Sequence, residues 1–259
     1  GMRVPWILIA VLIGVGLTGA EPCAAQSMGP SSPAALIITY RAKPGERLTL
    51  LTRMRKEGIA QFEEWKSEGV FSSYQLLRPA YAAAGKDTPD LYLILEFAHF
   101  VDLASWQQIE RQLPGGLPPD LQSIAWADSA GTADIVREST AAQPTDNSQY
   151  FILTYQAMIP MPDYEKYARG YAIPQFEGWM KAGVLNSFRV FDNQNPAGAP
   201  WTSVILLEYK DIDALGRREV VKDDVRRKLA ASNPEWKKWS QNKSDLRKEL
   251  SAIPVLSLK

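Results

Sequence analysis

The sequence predicts an α+β protein built from two successive βαββαβ units. Three observations carry that prediction. A stretch of about twenty residues recurs at a fixed spacing. In each copy a short β-branched run precedes a segment with helical period. Further on, each copy has a strand-length run that is apolar almost without alternation. The chain has 259 residues, 46% of them apolar and 22% charged, so it is globular and long enough for a large core.

The repeat is read directly. Residues 59–77 and 173–191 align without a gap at an offset of 114. Identities fall at Ile59/Ile173, Gln61/Gln175, Phe62/Phe176, Glu63/Glu177, Trp65/Trp179, Gly69/Gly183, Val70/Val184 and Ser73/Ser187. With small slips the register extends to Thr39-Tyr40 and Thr154-Tyr155, and to Leu95-Glu96-Phe97 and Leu207-Glu208-Tyr209. Two long copies mark a domain duplication, not a solenoid. The expected division is residues 34–140, a polar linker at 141–148 containing Pro144 and Asp146-Asn147, and residues 149–259.

Leu36 to Arg41 is the first strand, stopped by Lys43-Pro44-Gly45. Arg47 to Glu68 carries Leu48, Leu51, Met54, Ile59, Phe62 and Trp65 at helical spacing and ends at Gly69, which accepts positive φ without a Cβ penalty. Gly183 ends the second copy's helix, where Pro174 is expected to kink or split it. Phe71 to Leu77 and Leu91 to Phe97 are the next strands. The latter reads as buried on both faces. Asp102 caps a helix lined by Leu103, Trp106, Ile109 and Leu113. A further helix is expected after Pro118-Pro119-Asp120, then a last strand near Ala133 to Glu138. The second copy offers Trp201 to Tyr209, Asp213 to Ala231, a helix after Asn233-Pro234, and a final strand near Leu250 to Leu258.

Composition excludes several functions. Lys+Arg and Asp+Glu both number 29, so there is no basic footprint for nucleic acid. One Cys and one His exclude a multi-ligand Cys/His zinc site, and no metal or cofactor is called for. No Gly-rich phosphate loop, Gly-x-Ser-x-Gly or His-Glu-x-x-His is present. Residues 1–25 have the layout of a secretory signal peptide: Met2-Arg3, an apolar stretch from Val4 to Ala20, and Cys23-Ala24-Ala25 as a small-x-small cleavage site. The competing reading is a retained anchor, for which the apolar stretch is short and broken by Pro5 and glycines. Glu21-Pro22 argues against lipidation of Cys23. The expectation is a periplasmic or secreted protein with no cysteine left after cleavage and no membrane attachment.

A βαββαβ unit is the ferredoxin-like arrangement, a sheet with helices on one face. The all-apolar third strand cannot leave the other face in water. Two tandem ferredoxin-like units with their sheets packed face to face, as an intramolecular α/β barrel, bury it. On the strand ending Thr39-Tyr40 or Thr154-Tyr155, the Phe-x-x-Trp helix ending at Gly69 or Gly183, and the strand ending Glu96-Phe97 or Glu208-Tyr209, the sequence resembles the dimeric α/β-barrel superfamily in its single-chain, duplicated form. The resemblance implies a fold shared by cofactor-free monooxygenases, small isomerases, haem enzymes and ligand-sensing modules. It also implies a ligand held inside the barrel or between sheet and helices. Single-copy relatives must pair to close the barrel, so this chain is expected to be a monomer.

The leading functional reading is binding of a small apolar or aromatic ligand. The alternative is a cofactor-independent oxygenase or isomerase. In that case Glu96 or Glu208, at the end of an apolar strand, would act as general base. Tyr40 or Tyr155, each an apolar ring with one hydroxyl, would orient the substrate. His99, the sole histidine, could touch a ligand, act as base or bind haem, but its strand-to-helix turn is a poor place for a haem ligand. The Phe-x-x-Trp pairs read as core anchors, and Arg226-Arg227-Lys228 as a solvated helix face.

Overall fold

Runs of Ile, Leu, Tyr and Phe alternate along the chain with helix-period segments, and the fold follows from which faces they must hide. The computed structural model describes residues 29–82, 88–194 and 199–259. Its strands are β1 (Ala34–Ala42), β2 (Ser73–Pro79), β3 (Leu91–Phe97), β4 (Ala125–Ser139), β5 (Gln149–Ala157), β6 (Leu185–Asn193), β7 (Ser203–Tyr209) and β8 (Arg247–Ser257). They form one closed antiparallel barrel in the order β1-β3-β2-β8-β5-β7-β6-β4. The N-terminal half thus runs β4-β1-β3-β2 and the C-terminal half β8-β5-β7-β6. The expected signal segment 1–25, with Cys23, lies outside the described residues. Among the described residues no helix is long and apolar enough to cross a membrane.

The halves do more than stack face to face. Hydrogen bonding joins β4 to β6 from Ala133↔Asn193 to Ser139↔Ser187, and β2 to β8 from Leu77↔Ser257 to Pro79↔Val255. Both seams lie within one chain, and closure pairs the backbone groups that four open sheet edges would expose.

β3 is buried at every residue because its two faces meet different cores. Leu91, Leu93, Leu95 and Phe97 face the helices with Leu36, Ile38 and Tyr40. Tyr92 and Ile94 point into the barrel with Ile37, Leu77, Ile152, Phe191, Val204, Leu206 and Val255. That interior cluster packs the middle of the barrel, each such residue contributing about 1.5–3 kcal/mol through burial. Outside lie α1 (Arg47–Arg53), α2 (Ile59–Ser67) and α3 (Leu103–Glu110) in the N-terminal half. The C-terminal half carries α4 (Met161–Tyr167), α5 (Ile173–Lys181), α6 (Ile212–Gly216), α7 (Arg218–Ser232) and α8 (Pro234–Leu246).

Several elements differ from expectation. The long first helix is interrupted by a π-helical turn at Met54–Gly58, and its counterpart by one at Ala168–Ala172. The interruption occurs at the same register with and without a proline. Pro174 therefore sits at the start of α5, after a break it does not cause. The helix expected after Pro118 is only a 3₁₀ turn at Pro119–Leu121, because the chain already enters β4 at Ala125. Its counterpart α8 is complete, with the Asn233 side chain accepting the Trp236 N–H at 3.0 Å. β4 is far longer than the stretch near Ala133 to Glu138. Asp102 accepts the His99 backbone N–H at 3.2 Å, whereas Asp211 accepts that of Ala214 at 2.8 Å. Gly69 and Gly183 take φ of +80° and +79° and end their helices as expected.

Candidate functional site

Strand alternation decides which side chains reach open space. With the barrel centre filled, space remains at its ends and between sheet and helices. At one end, interior-facing positions of β2, β3, β4, β6 and β7 bring Gln75, Glu96, Arg137, Arg189 and Glu208 around a cavity of about 590 Å³. The two strand-end glutamates therefore share one cavity, but their surroundings differ. Glu96 is clamped by Arg137 and by Arg189, whose Nη1 donates to Oε2 at 3.1 Å, and it accepts the Ser73 hydroxyl at 3.1 Å. Glu208, 5% exposed, accepts hydroxyls alone among the described residues, from Ser187 at 2.8 Å and Ser148 at 3.1 Å. Burial, and next the charge of Glu208, push the nearby Tyr150 phenol up to about 12, so it stays a neutral donor.

The second space is a cleft of about 450 Å³ on the outer face of β5 and β7, under α5, α7 and α8. Its floor is Leu153, Tyr155, Phe176, Trp179 and Ile205. Its rim is Arg218, Lys222, Arg226, Lys243 and Arg247 against one carboxylate, Glu249. Arg218 and Lys222 both engage Glu219. Arg226 Nε donates to the Gln175 side chain at 2.7 Å. The Arg247 guanidinium lies 4.1 Å from the Tyr155 ring centroid, and among the described residues no carboxylate pairs with it. Trp179 is 4% exposed, and among the described residues its indole N–H has no acceptor.

The corresponding place in the N-terminal half is filled. Trp106 lies on Phe62 at 6.2 Å and meets Trp65 edge-on at 5.7 Å. What remains is a cavity of about 400 Å³ outside Trp106, where Glu110 and Arg111 are the charged lining groups and cancel.

The five residues singled out in the sequence do not converge. Glu96 and Glu208 meet at the barrel end. Tyr155 lines the C-terminal cleft, where burial raises its pKa. Tyr40 is fully buried in the N-terminal core, its hydroxyl donating to the Gly115 carbonyl at 2.6 Å. The His99 side chain is 55% exposed, with Nδ1 3.3 Å from Asp102. A haem held by a proximal histidine does not fit, because the one histidine lies on this surface turn and not in either cleft. Arg226 turns inward to the cleft, whereas Arg227 and Lys228 are exposed and pair with Asp224, so only part of that basic run is a solvated face.

No family model matches the chain, and no curated protein matches it. Among solved structures, it is similar to a putative monooxygenase from Fusobacterium nucleatum subsp. nucleatum ATCC 25586, at 13% identity over 88% of this chain and 94% of that one, with a TM-score of 0.54. It is also similar to a mutant chlorite dismutase from Candidatus Nitrospira defluvii, at 7% identity over 88% and 92%, with a TM-score of 0.51. An anthrone oxidase-like protein matches at 10% identity over 88% and 94%, with a TM-score of 0.50. The shared feature is the fold. It is an α+β protein with a closed eight-stranded barrel, consistent with the dimeric α/β-barrel fold that the sequence resembles. At these identities the likeness carries no activity across.

Proposed function

We propose that the chain is an exported, tandem-duplicated ferredoxin-like barrel that binds a small apolar or aromatic ligand carrying an acidic group. The ligand lies in the cleft under α5, α7 and α8. The observation that carries this reading is the contrast between the clefts. Trp106 fills the N-terminal one, while the C-terminal one keeps an apolar floor that includes Trp179 and a rim of five cations. The aromatic floor takes the ring or chain of the ligand, and Arg247 takes its acid. Export rests on the signal-like N-terminus. Closure of both barrel seams within one chain supports a monomer. A second reading, catalysis by a strand-end carboxylate, rests on Glu208, because both oxygens of Glu96 are occupied by guanidiniums.

The test is a fluorescence titration with 8-anilinonaphthalene-1-sulfonate, an aromatic anion. One saturable site is expected, with Kd raised about tenfold in Arg247→Ala by loss of a charge-assisted contact. An unchanged Kd in that variant would overturn the assignment.

A further inference from the structure

The barrel-end cavity carries a second inference, independent of the cleft. Its charges balance in number but not in place. On one wall two guanidiniums, Arg137 and Arg189, share the single carboxylate of Glu96. The other amino group of Arg189 is spent on the Gln75 side-chain oxygen. Glu138 also lines the cavity but pairs with neither guanidinium among the described residues, so the two arginines share one paired carboxylate, and Arg137 is half exposed. On the opposite wall Glu208 is almost fully buried and held by two serine hydroxyls, and among the described residues no cation pairs with it. A buried carboxylate without a cation is expensive to hold in its charged form.

The sequence repeat shows how this imbalance arises. Arg189 of β6 lies 114 positions after Gln75 of β2. In the β4–β6 ladder Arg137 stands opposite Arg189. In the β2–β8 ladder Leu77 stands opposite Ser257, and that register carried two residues on sets Lys259 opposite Gln75. The counterparts of the two arginines that neutralise Glu96 are therefore Gln75 and Lys259. Gln75 has no charge. Lys259 turns to Glu63, at 3.7 Å, and to the Tyr74 ring. Among the described residues neither symmetry-related position pairs a cation with Glu208.

From this geometry we propose that the cavity binds a small zwitterion of the free amino-acid class, its carboxylate on Arg137 and Arg189 and its ammonium on Glu208. The match is electrostatic. A simple amine is repelled by the surplus guanidinium, and a simple carboxylate by Glu208. Both charges are needed. The remaining wall includes Ile59, Leu76, Phe188 and Leu206, which favour an apolar side chain. The hydroxyls of Ser187 and Tyr150 supply further polar contacts.

Isothermal titration calorimetry of the full chain tests this with L-leucine and two singly charged analogues, isopentylamine and 4-methylpentanoate. L-Leucine is expected to bind, and each analogue at least about tenfold more weakly. Glu208→Gln keeps one serine hydroxyl as donor to its carbonyl, turns its amide N–H toward the other, removes the charge and should abolish leucine binding. Gln75→Arg sets a guanidinium at the position equivalent to Arg189, offers Glu208 an internal partner and should also abolish it. That variant keeps the test decisive if Glu208→Gln fails to fold. Binding of the amine or the carboxylate as tightly as leucine, leucine binding that survives either folded variant, or no leucine binding at millimolar concentration would each overturn the proposal.

Discussion

Truncating Trp106 to alanine should lower the unfolding free energy by about 3–5 kcal/mol. The side chain is almost fully buried, stacks on Phe62, meets Trp65 edge-on, and donates its indole N–H to Glu110 at 3.0 Å. The surroundings cannot close over the gap. Gly116, at φ +71°, is shaped around the indole so closely that a Cβ there would meet Trp106 at 2.6 Å. Urea denaturation followed by circular dichroism measures the loss. A change below about 1 kcal/mol would mean that Trp106 is a removable cover and not a core element of the N-terminal half.

Replacing Asp192 with asparagine should do the opposite above neutral pH. Asp192 is 5% exposed and faces Asp134 across the β4–β6 ladder, and among the described residues each has an oxygen without a partner. Burial first, and the charge of Asp134 second, push the Asp192 carboxyl up to about 7, and Asp134 also rises. The sign follows from linkage. A carboxyl with a raised folded pKa is protonated in the fold while the unfolded chain has already ionised. Its stabilising contribution is full below about pH 4 and is lost as pH climbs through about 7. Asp192→Asn removes that loss. The variant should match the parent near pH 4 and exceed it at pH 8 by roughly 2–4 kcal/mol. Melting temperatures from pH 4 to 8 report this, and parallel curves for the two proteins would contradict it.

Much of the fold was legible because burial leaves a pattern. β3 is found at Leu91–Phe97, as the unbroken apolar run indicated. The glycine helix ends at Gly69 and Gly183 were legible because left-handed backbone demands glycine. The π turns were not, since one extra residue per turn hardly disturbs an apolar stripe at helical spacing. The helix expected after Pro118 failed because the demand of β4 for residues overrode local preference. In the barrel-end cavity Glu96 and Glu208 were visible as paired strand ends, but their partners were not. Arg189 reaches Glu96 from 93 residues away, across a seam that only barrel closure creates. The available clue was parity, since Arg137 and Arg189 share the strand parity of the interior residues Ile135 and Phe191, where a lone cation needs an anion. In the C-terminal cleft, Arg218, Lys222, Arg226, Lys243 and Arg247 come from two helices and a strand. Their convergence depends on how α7 and α8 fold back on α5, which charge counting along the chain does not reveal. Tyr40 and Tyr155 look equivalent in sequence. They part because Gly115 offers Tyr40 a carbonyl, whereas Arg247 lies over Tyr155.

The central claim is that the C-terminal cleft, and not its N-terminal counterpart, is the ligand site. The most direct measurement follows the indole N–H resonances of ¹⁵N-tryptophan-labelled protein during titration with 8-anilinonaphthalene-1-sulfonate, with Trp179 assigned by Trp179→Phe. A saturable shift of the Trp179 signal is expected while Trp65 and Trp106 stay in place. A Trp179 signal unmoved at saturation, or shifts centred on Trp65 and Trp106, would contradict it.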